Sequence, residues 1–169
     1  MSPRIAILTV SDRSARGERE DASGPALRKV VEEQGWQVVR QEILPDDLSA
    51  LRDALIRWAD SRQIDVILTT GGTGFSPRDV TPEATLAVAE RQAPGLAEAM
   101  RAESLKVTPH AMLSRAMAGI RGSTLIVNLP GSPKAAVENL LVIMPVLPHA
   151  IQLLSENPAA EAGHHDLEV

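Results

Sequence analysis

Short apolar segments alternate with amphipathic segments along the chain, and this alternation most constrains the fold. Arg4 to Val10, Asp65 to Thr69 and Thr124 to Asn128 are rich in β-branched residues and almost continuously apolar. Strands with this pattern are typical of a parallel sheet that is covered on both faces. A fourth segment, Gln37 to Ile43, alternates less regularly and is expected nearer an edge of the sheet.

The segments between these strands have helical spacing. Leu48, Leu51, Leu55 and Trp58 repeat at intervals that place them on one face of a helix. Four further helices are predicted in the second half: Pro82 to Arg91, Gly95 to Leu105, Pro109 to Ala118, and Pro133 to Ser155 with a break near Pro145. Thr81 and Ser132 each precede a proline, and their hydroxyls are predicted to cap the helices that follow.

The order of strands and helices predicts an α/β fold, namely a three-layer α/β/α sandwich with a mostly parallel central sheet. A chain of 169 residues with 44% hydrophobic content can form one core and is difficult to divide. We expect a single domain over residues 1–156. Residues 157–169 have no hydrophobic period and are predicted to be a flexible tail, in which His164 and His165 are solvent-exposed rather than metal-binding.

Composition excludes several kinds of function. The chain has no cysteine, so disulfides, cysteine-based zinc sites and thiol nucleophiles are ruled out. Its net charge of -5 argues against general nucleic-acid binding, which depends on a basic surface. We see no secretory signal and no membrane-spanning run in the sequence, and therefore expect a cytoplasmic protein without a membrane partner.

Polar and glycine-rich segments follow the predicted strands. In a parallel sheet these segments meet at one edge, where α/β proteins bind their ligands. Any one of them could simply form a turn. Three glycines in four residues, however, exceed what a turn needs and allow backbone N–H groups to approach an anion. The segments are Ser11-Asp12, Pro45 to Asp47, Thr70 to Gly74, and Leu129 to Ser132.

The glycine loop does not match the common nucleotide motifs. No lysine follows Gly74 as a P-loop requires, and Pro77 stands where a dinucleotide motif needs a small residue. Arg78, a few residues further on, could bind a phosphate with both arms of its guanidinium group. Phe75 could stack on a flat ring or plug the loop onto the core, and we favour the plug.

Three aspartates lie at the same predicted edge. Asp12, Asp46 and Asp79 would repel a phosphate unless a Mg²⁺ ion stood between them. Each could instead cap a helix or brace a turn. Outside the tail, only His110 and His149 could serve as a conventional base, and both are expected to be packing residues. A reaction whose attacking group is an ionised phosphate needs no such base and depends mainly on positioning and charge neutralisation.

Several segments together resemble one family. TTGGTGFSPRDVTPEAT at residues 69–85 occurs with ILTVSDRSARGERED, ILPDD and TPHAMLSRAMAGIRGSTLIVNLPGSP, in the family's order. The chain is similar over about residues 4–155 to the molybdopterin adenylyltransferases, including the corresponding domains of plant and animal molybdenum cofactor proteins. The resemblance implies the molybdopterin-binding fold, molybdopterin and Mg-ATP as substrates, and release of pyrophosphate. It also implies a homotrimer, with a hexamer left open, and a molybdate-inserting enzyme as partner.

The resemblance also implies roles for individual residues. Asp79 and Asp46 fall on acidic positions of the catalytic kind and are the tentative Mg²⁺ ligands. The remaining positions are expected to bind substrate or nucleotide. They are Ser11, Asp12, Thr70, Gly71, Gly72, Thr73, Gly74, Arg78, Ser104, Ser114, Arg115, Pro130, Gly131 and Ser132.

Two other functions remain open at this point. A related group keeps the fold and the glycine loop but in some bacterial members lacks the arginine and the acidic turn, and is suspected to lack transferase activity. This chain retains Arg78, Asp79 and Asp46, which favours the enzyme. The alternatives are a catalytically silent carrier of molybdopterin and a regulator that binds the nucleotide alone.

Overall fold

A six-stranded sheet forms the centre of the computed structural model, which describes residues 2–155. The strands are β1 (Arg4–Val10), β2 (Gln37–Leu44), β3 (Val66–Thr70), β4 (Arg91–Gln92), β5 (Ala118–Arg121) and β6 (Thr124–Leu129). Their order across the sheet is β2-β1-β3-β6-β5-β4. The first four strands in this order pair in parallel, and β5 and β4 continue the sheet antiparallel.

This sheet confirms the predicted mostly parallel architecture. Each of the four predicted strands is present with ends that differ by no more than one residue, and β2 lies at the edge as expected. β4 and β5 were not predicted. They have two and four residues, too few to establish an alternating pattern.

Helices cover both faces of the sheet. They are α1 (Asp12–Ala15), α2 (Ser23–Glu33), α3 (Leu48–Asp60), α4 (Thr81–Val88), α5 (Pro94–Leu105), α6 (Pro133–Ile143) and α7 (Leu147–Leu154). Short 3-10 helices occupy Pro109–Leu113 and Met144–Val146, and the second of these accounts for the predicted break near Pro145.

Alternate residues of β1 enter two separate cores, which makes the three layers. Ile5 and Ile7 pack in the cluster that includes α2, α5 and α6, whereas Ala6 and Leu8 pack with α3 and α4. All four residues are fully buried. Burying a large aliphatic side chain stabilises a fold by about 1.5–3 kcal/mol, so a strand buried on both faces fixes the position of the loop that follows it.

Two helix predictions were wrong in extent. The segment predicted as a helix over Pro109 to Ala118 contains only the 3-10 turn, because its later backbone groups pair outside the segment: Arg115 N donates to Thr73 O at 2.8 Å, and Asn128 N donates to Met117 O at 2.9 Å. The helix predicted to continue to Arg91 ends at Val88, since Arg91 joins the sheet in β4.

One helical stretch, Pro133–Leu154, is long and apolar enough by length and composition alone to cross a membrane. It consists of α6, the second 3-10 turn and α7, and its buried residues Leu140, Ile143 and Leu147 pack into the core beside the sheet. Only 28% of this stretch is buried, so core packing accounts for part of its apolar composition. The domain boundary at residue 156 stays a prediction, and the tail at 157–169 with His164 and His165 lies outside the described residues.

Candidate active site

The segments that follow the parallel strands meet at one edge of the sheet, as predicted. Gly71 N donates to Leu129 O at 3.2 Å, and the Thr70 hydroxyl donates to Pro130 O at 2.7 Å. Ser11 N donates to Leu44 O at 2.9 Å. Backbone contacts between neighbouring strand ends therefore hold the four segments together.

The glycine loop needs glycine for both conformation and space. Gly71 and Gly72 have φ angles of +99° and +67°, which side-chain-bearing residues rarely adopt. A Cβ at Gly71 would overlap the Val10 carbonyl, and one at Gly131 would lie 3.3 Å from Gly71 Cα. The loop backbone is thus packed directly against two neighbouring strand ends.

Thr81 holds the loop from the other side, and this corrects a prediction. Its hydroxyl does not cap α4; it is buried and donates to Gly71 O at 2.9 Å, while Thr81 N donates to Gly72 O at 3.1 Å. The helix begins at Thr81 itself without a side-chain cap. The predicted cap at Ser132 is confirmed, since its Oγ accepts from Ala135 N at 3.4 Å.

Asp12 and Asp46 bind each other's backbone in a reciprocal pair. Asp12 N donates to Asp46 Oδ2 at 3.0 Å, and Asp46 N donates to Asp12 Oδ1 at 3.0 Å. Arg78 adds a two-pronged contact to Asp12, with both nitrogen–oxygen distances at 3.0 Å. These contacts join the ends of β1 and β2 to the turn that carries Asp79.

The two paired aspartates have opposite pKa shifts. The hydrogen bond from Arg78 holds the pKa of Asp12 below its ordinary value. Burial, followed by the negative charges of Asp12 and Asp79, raises the pKa of Asp46. Of these two aspartates, Asp46 is therefore the one whose ionised form a nearby cation would stabilise more.

Arg115 braces the turn between Gly74 and Asp79. Its Nε donates to Gly74 O at 2.7 Å, its Nη2 donates to Asp79 O at 2.8 Å, and its Nη1 pairs with the Glu83 carboxylate. The Asp79 side chain accepts from Ser76 N at 3.0 Å. In this arrangement the guanidinium group positions the turn; the substrate contact that the resemblance implies for Arg115 stays a prediction.

Two clefts share the glycine loop as a wall. The first, which we call the carboxylate cleft because Asp46 and Asp79 line it, has a volume of about 410 Å³. The second, which we call the Arg101 cleft after the arginine that lines it, has a volume of about 310 Å³. Gly71 and Gly72 line the first, and Thr73 and Gly74 line the second. The loop therefore presents one half to each cleft.

Most of the predicted site residues line one of these clefts. The carboxylate cleft also contains Ser11, Asp46, Thr70, Asp79, Gly131 and Ser132. The Arg101 cleft also contains Ser104, Ser114 and Pro130. Asp12, Arg78 and Arg115 line neither cleft; they act on the loops that form them.

Sequence reasoning missed several lining residues. Asp21 lies in the carboxylate cleft, where its carboxylate accepts from Gly24 N at 3.0 Å and from the Thr9 hydroxyl at 2.7 Å. Only its place just before α2 could have indicated this. In the Arg101 cleft the missed residues include Arg101 and Asn139, which lie on helices with no distinctive motif.

Two side-chain predictions were wrong. Phe75 does not plug the core, because 68% of its surface is exposed at the tip of the loop. His110, in the 3-10 helix Pro109–Leu113, is exposed and lines the Arg101 cleft instead of packing against the core, and its Nδ1 lies 3.2 Å from the Thr108 hydroxyl. His149 is partly buried in α7, as expected of a packing residue.

Four acidic residues line the carboxylate cleft, Glu20, Asp21, Asp46 and Asp79, but among the described residues they do not form a full metal cage. Within residues 2–155, no cluster of three or more aspartate, glutamate or histidine side chains is arranged to hold a metal ion. Asp46 and Asp79 line the same cleft and are close enough for repulsion to raise the Asp46 pKa. These two residues fit a Mg²⁺ ion that completes its coordination with substrate phosphate and water.

Fold and site define the class: an α/β protein with a glycine loop of the kind that binds anionic ligands at the carboxyl edge of its sheet. Residues 6–149 match the family model described as "Probable molybdopterin binding domain". The chain belongs to this family of molybdenum cofactor biosynthesis domains.

Individual relatives agree with this assignment. The chain is 43% identical over 155 residues to the molybdopterin adenylyltransferase of Helicobacter pylori strain J99, covering 90% of this chain and 88% of that one. It is 43% identical to gephyrin of Dictyostelium discoideum, where it spans only 23% of that protein. Among solved structures, the molybdopterin biosynthesis enzyme MoaB of Thermus thermophilus has a TM-score of 0.86 at 51% identity, covering 92% of this chain and 98% of that one.

Proposed function

We propose that this protein is a molybdopterin adenylyltransferase, which transfers AMP from Mg-ATP to molybdopterin and releases pyrophosphate. The observation that carries the proposal is the carboxylate cleft, in which Asp46 and Asp79 face the backbone of Gly71 and Gly72. An anion and a cation can both be held there. The similarity to named adenylyltransferases supplies the reaction class.

The reaction joins two anions and needs little acid–base chemistry. A terminal phosphate oxygen of molybdopterin attacks the α-phosphorus of ATP, a new P–O bond forms, and the bond to the β-phosphate breaks with its electron pair leaving on pyrophosphate. The attacking phosphate is already ionised near neutral pH. No histidine of the described residues lines the carboxylate cleft, which is consistent with this reaction.

The chain's own residues supply position and charge. N–H groups of Gly72 to Gly74 would bind phosphate oxygens, since the Gly71 N–H already donates to Leu129 O, and the rigid contacts of Gly71 to Val10 and Thr81 preorganise them. Asp46 and Asp79 would hold Mg²⁺, which when bound neutralises charge between the two substrates. Arg78 and Arg115 keep the Asp79 turn against the strand ends.

Further parts of the proposal rest on resemblance. We infer a homotrimer, with a hexamer as the larger possibility, a cytoplasmic location, and a molybdate-inserting enzyme that takes the adenylylated product. Exposed apolar side chains around the loop, among them Phe75 and Met112, support an assembly of subunits. Light scattering in solution would test the trimer against the hexamer.

A single assay tests the catalytic proposal. The protein is incubated with molybdopterin, ATP and Mg²⁺, and the adenylylated pterin and pyrophosphate are measured. Both products are expected in equal amounts. Molybdopterin binding without either product would support the silent carrier, and ATP binding without pterin binding would support the regulator.

A further inference from the structure

Arg101 is a partly buried cation that pairs with no carboxylate of residues 2–155. It lies on α5, and its Nη1 donates to two backbone carbonyls, Ala116 O at 2.8 Å and Ser114 O at 3.3 Å. No carboxylate oxygen of residues 2–155 lies within 4.0 Å of its nitrogens. The two carbonyls fix the direction of the side chain, but no carboxylate of the described residues compensates its charge.

Arg101 lines a cleft and has donors without acceptors among the described residues. A guanidinium group has five N–H donors, and within the described residues only Nη1 has hydrogen-bond acceptors. The side chain contributes to the lining of the Arg101 cleft. A cation that is partly removed from water is costly unless an anion or acceptors satisfy it, so these donors are suited to a ligand.

Two acidic residues nearby lie closer to lysines than to Arg101. Glu138 lines the same cleft but lies 3.8 Å from the Lys134 ammonium group. Glu103, on the same helix as Arg101, pairs with Lys106 at 2.6 Å. The local charge pattern therefore does not supply an internal partner for Arg101.

The rest of the cleft fits a molecule that is partly apolar and partly anionic. Asn139 is more than nine-tenths buried, and its Nδ2 donates to Ser104 Oγ at 3.2 Å. Because Ser104 Oγ accepts this bond, its own proton is free to donate toward another group. Val107 and Leu113 add apolar surface to the same cleft.

We propose that Arg101 binds the phosphate group of an organic phosphate whose apolar or ring portion occupies the Arg101 cleft. Charge-assisted bonds from guanidinium to phosphate are among the strongest hydrogen bonds in proteins. The identification of the ligand as a substrate rests on the proposed function, under which molybdopterin and ATP share this chemistry. The binding step itself does not depend on turnover.

Calorimetry with pyrophosphate tests the binding step on the full chain. Mg²⁺ is left out, because the aspartates of the carboxylate cleft then disfavour an anion there. Arg101→Gln is expected to weaken pyrophosphate binding about tenfold, the effect of losing one charged hydrogen bond. Arg101→Lys keeps the charge and should retain most of the affinity.

A matched control separates binding from bracing. Arg121→Gln also removes a cation that donates to a backbone carbonyl, that of Val88 at 3.2 Å, and with it a pair to the exposed Asp60 carboxylate. Arg121 lines neither cleft. The pyrophosphate affinity of this variant should equal that of the unaltered protein. If Arg101→Gln and Arg101→Lys both lower the melting temperature and leave pyrophosphate binding unchanged, Arg101 is only a brace and the inference fails.

Steady-state kinetics then assigns the ligand. A raised KM of Arg101→Gln for molybdopterin alone identifies the pterin phosphate, and a raised KM for ATP alone identifies the nucleotide. If the unaltered protein binds pyrophosphate through Arg101 yet transfers no adenylyl group, the proposed function is wrong and the inference stands. Normal turnover with unchanged affinity and both KM values unchanged removes the inference alone.

Discussion

The two clefts beside the glycine loop are built in different ways. The carboxylate cleft is formed by the ends of parallel strands and contains Asp46 and Asp79. The Arg101 cleft is formed largely by helices and contains one arginine among both apolar and polar side chains. The aspartates of the first cleft could hold a cation that neutralises charge during a reaction. The arginine and apolar side chains of the second could bind a ligand. Because the glycine loop borders both clefts, a ligand in one cleft would have its reacting phosphate close to the ligand in the other.

The largest expected effect concerns the charge of Asp79. Asp79→Asn should reduce kcat for adenylyl transfer roughly 100-fold or more, because a carboxylate that would hold the charge-neutralising Mg²⁺ is lost. The amide oxygen can still accept from Ser76 N, so the melting temperature should stay unchanged. Asp53→Asn, on the exposed surface of α3, is the control and should keep full activity. Unchanged turnover in Asp79→Asn would remove this residue from the mechanism.

Arg115 tests whether the carboxylate cleft depends on its brace. Arg115→Lys retains the charge but cannot reach Gly74 O, Asp79 O and Glu83 together, so kcat should fall about tenfold with little change in KM. Glu83→Gln keeps the two carbonyl contacts and should lose less. A raised KM with normal kcat in Arg115→Lys would instead indicate direct substrate binding. Steady-state kinetics with both substrates distinguishes these results.

Glycine substitutions compare the glycine loop with the helix that carries Arg101. Gly72→Ala should destabilise the protein by about 1–3 kcal/mol, because alanine would have to adopt the positive φ of residue 72 and its Cβ would overlap the Thr81 hydroxyl. Gly95→Ala, in the helix that carries Arg101, meets no atom within 4 Å and should stabilise by up to about 1 kcal/mol. Chemical denaturation measures both. Equal effects would show that the glycine loop is not specially constrained.

The smallest effect expected is the separation of two aspartate pKa values. In a Mg²⁺-free NMR titration of side-chain carboxyl carbons, Asp12 should titrate below its ordinary value and Asp46 above it. Asp12 then contributes stability above the ordinary pKa, and this is lost as pH falls through the lowered value. Asp46 contributes stability at low pH, which is lost as pH rises through its raised value. Arg78→Gln should return the Asp12 pKa toward normal, and no change would show that Arg78 does not set it.

Sequence patterns were most informative where many residues obey one constraint. β1 was predicted with its observed ends because every position from Ile5 to Val10 is buried and apolar or small. The antiparallel strands β4 and β5 were missed because they are short and their pairing depends on chain segments distant in sequence. Thr81 was misassigned for a similar reason: a cap and a long-range bond to Gly71 O use the same hydroxyl, and only the packed loop decides between them.

The sequence by itself determined the parallel sheet, the edge at which its polar loops meet, and the family, since each depends on local patterns or ordered motifs. Tertiary structure decided that one loop divides two clefts, that Arg78 and Arg115 contact protein groups, and that Arg101 has no carboxylate partner among the described residues. The physical reason is that charge compensation depends on distances across the fold, whereas strands and helices record their burial along the chain.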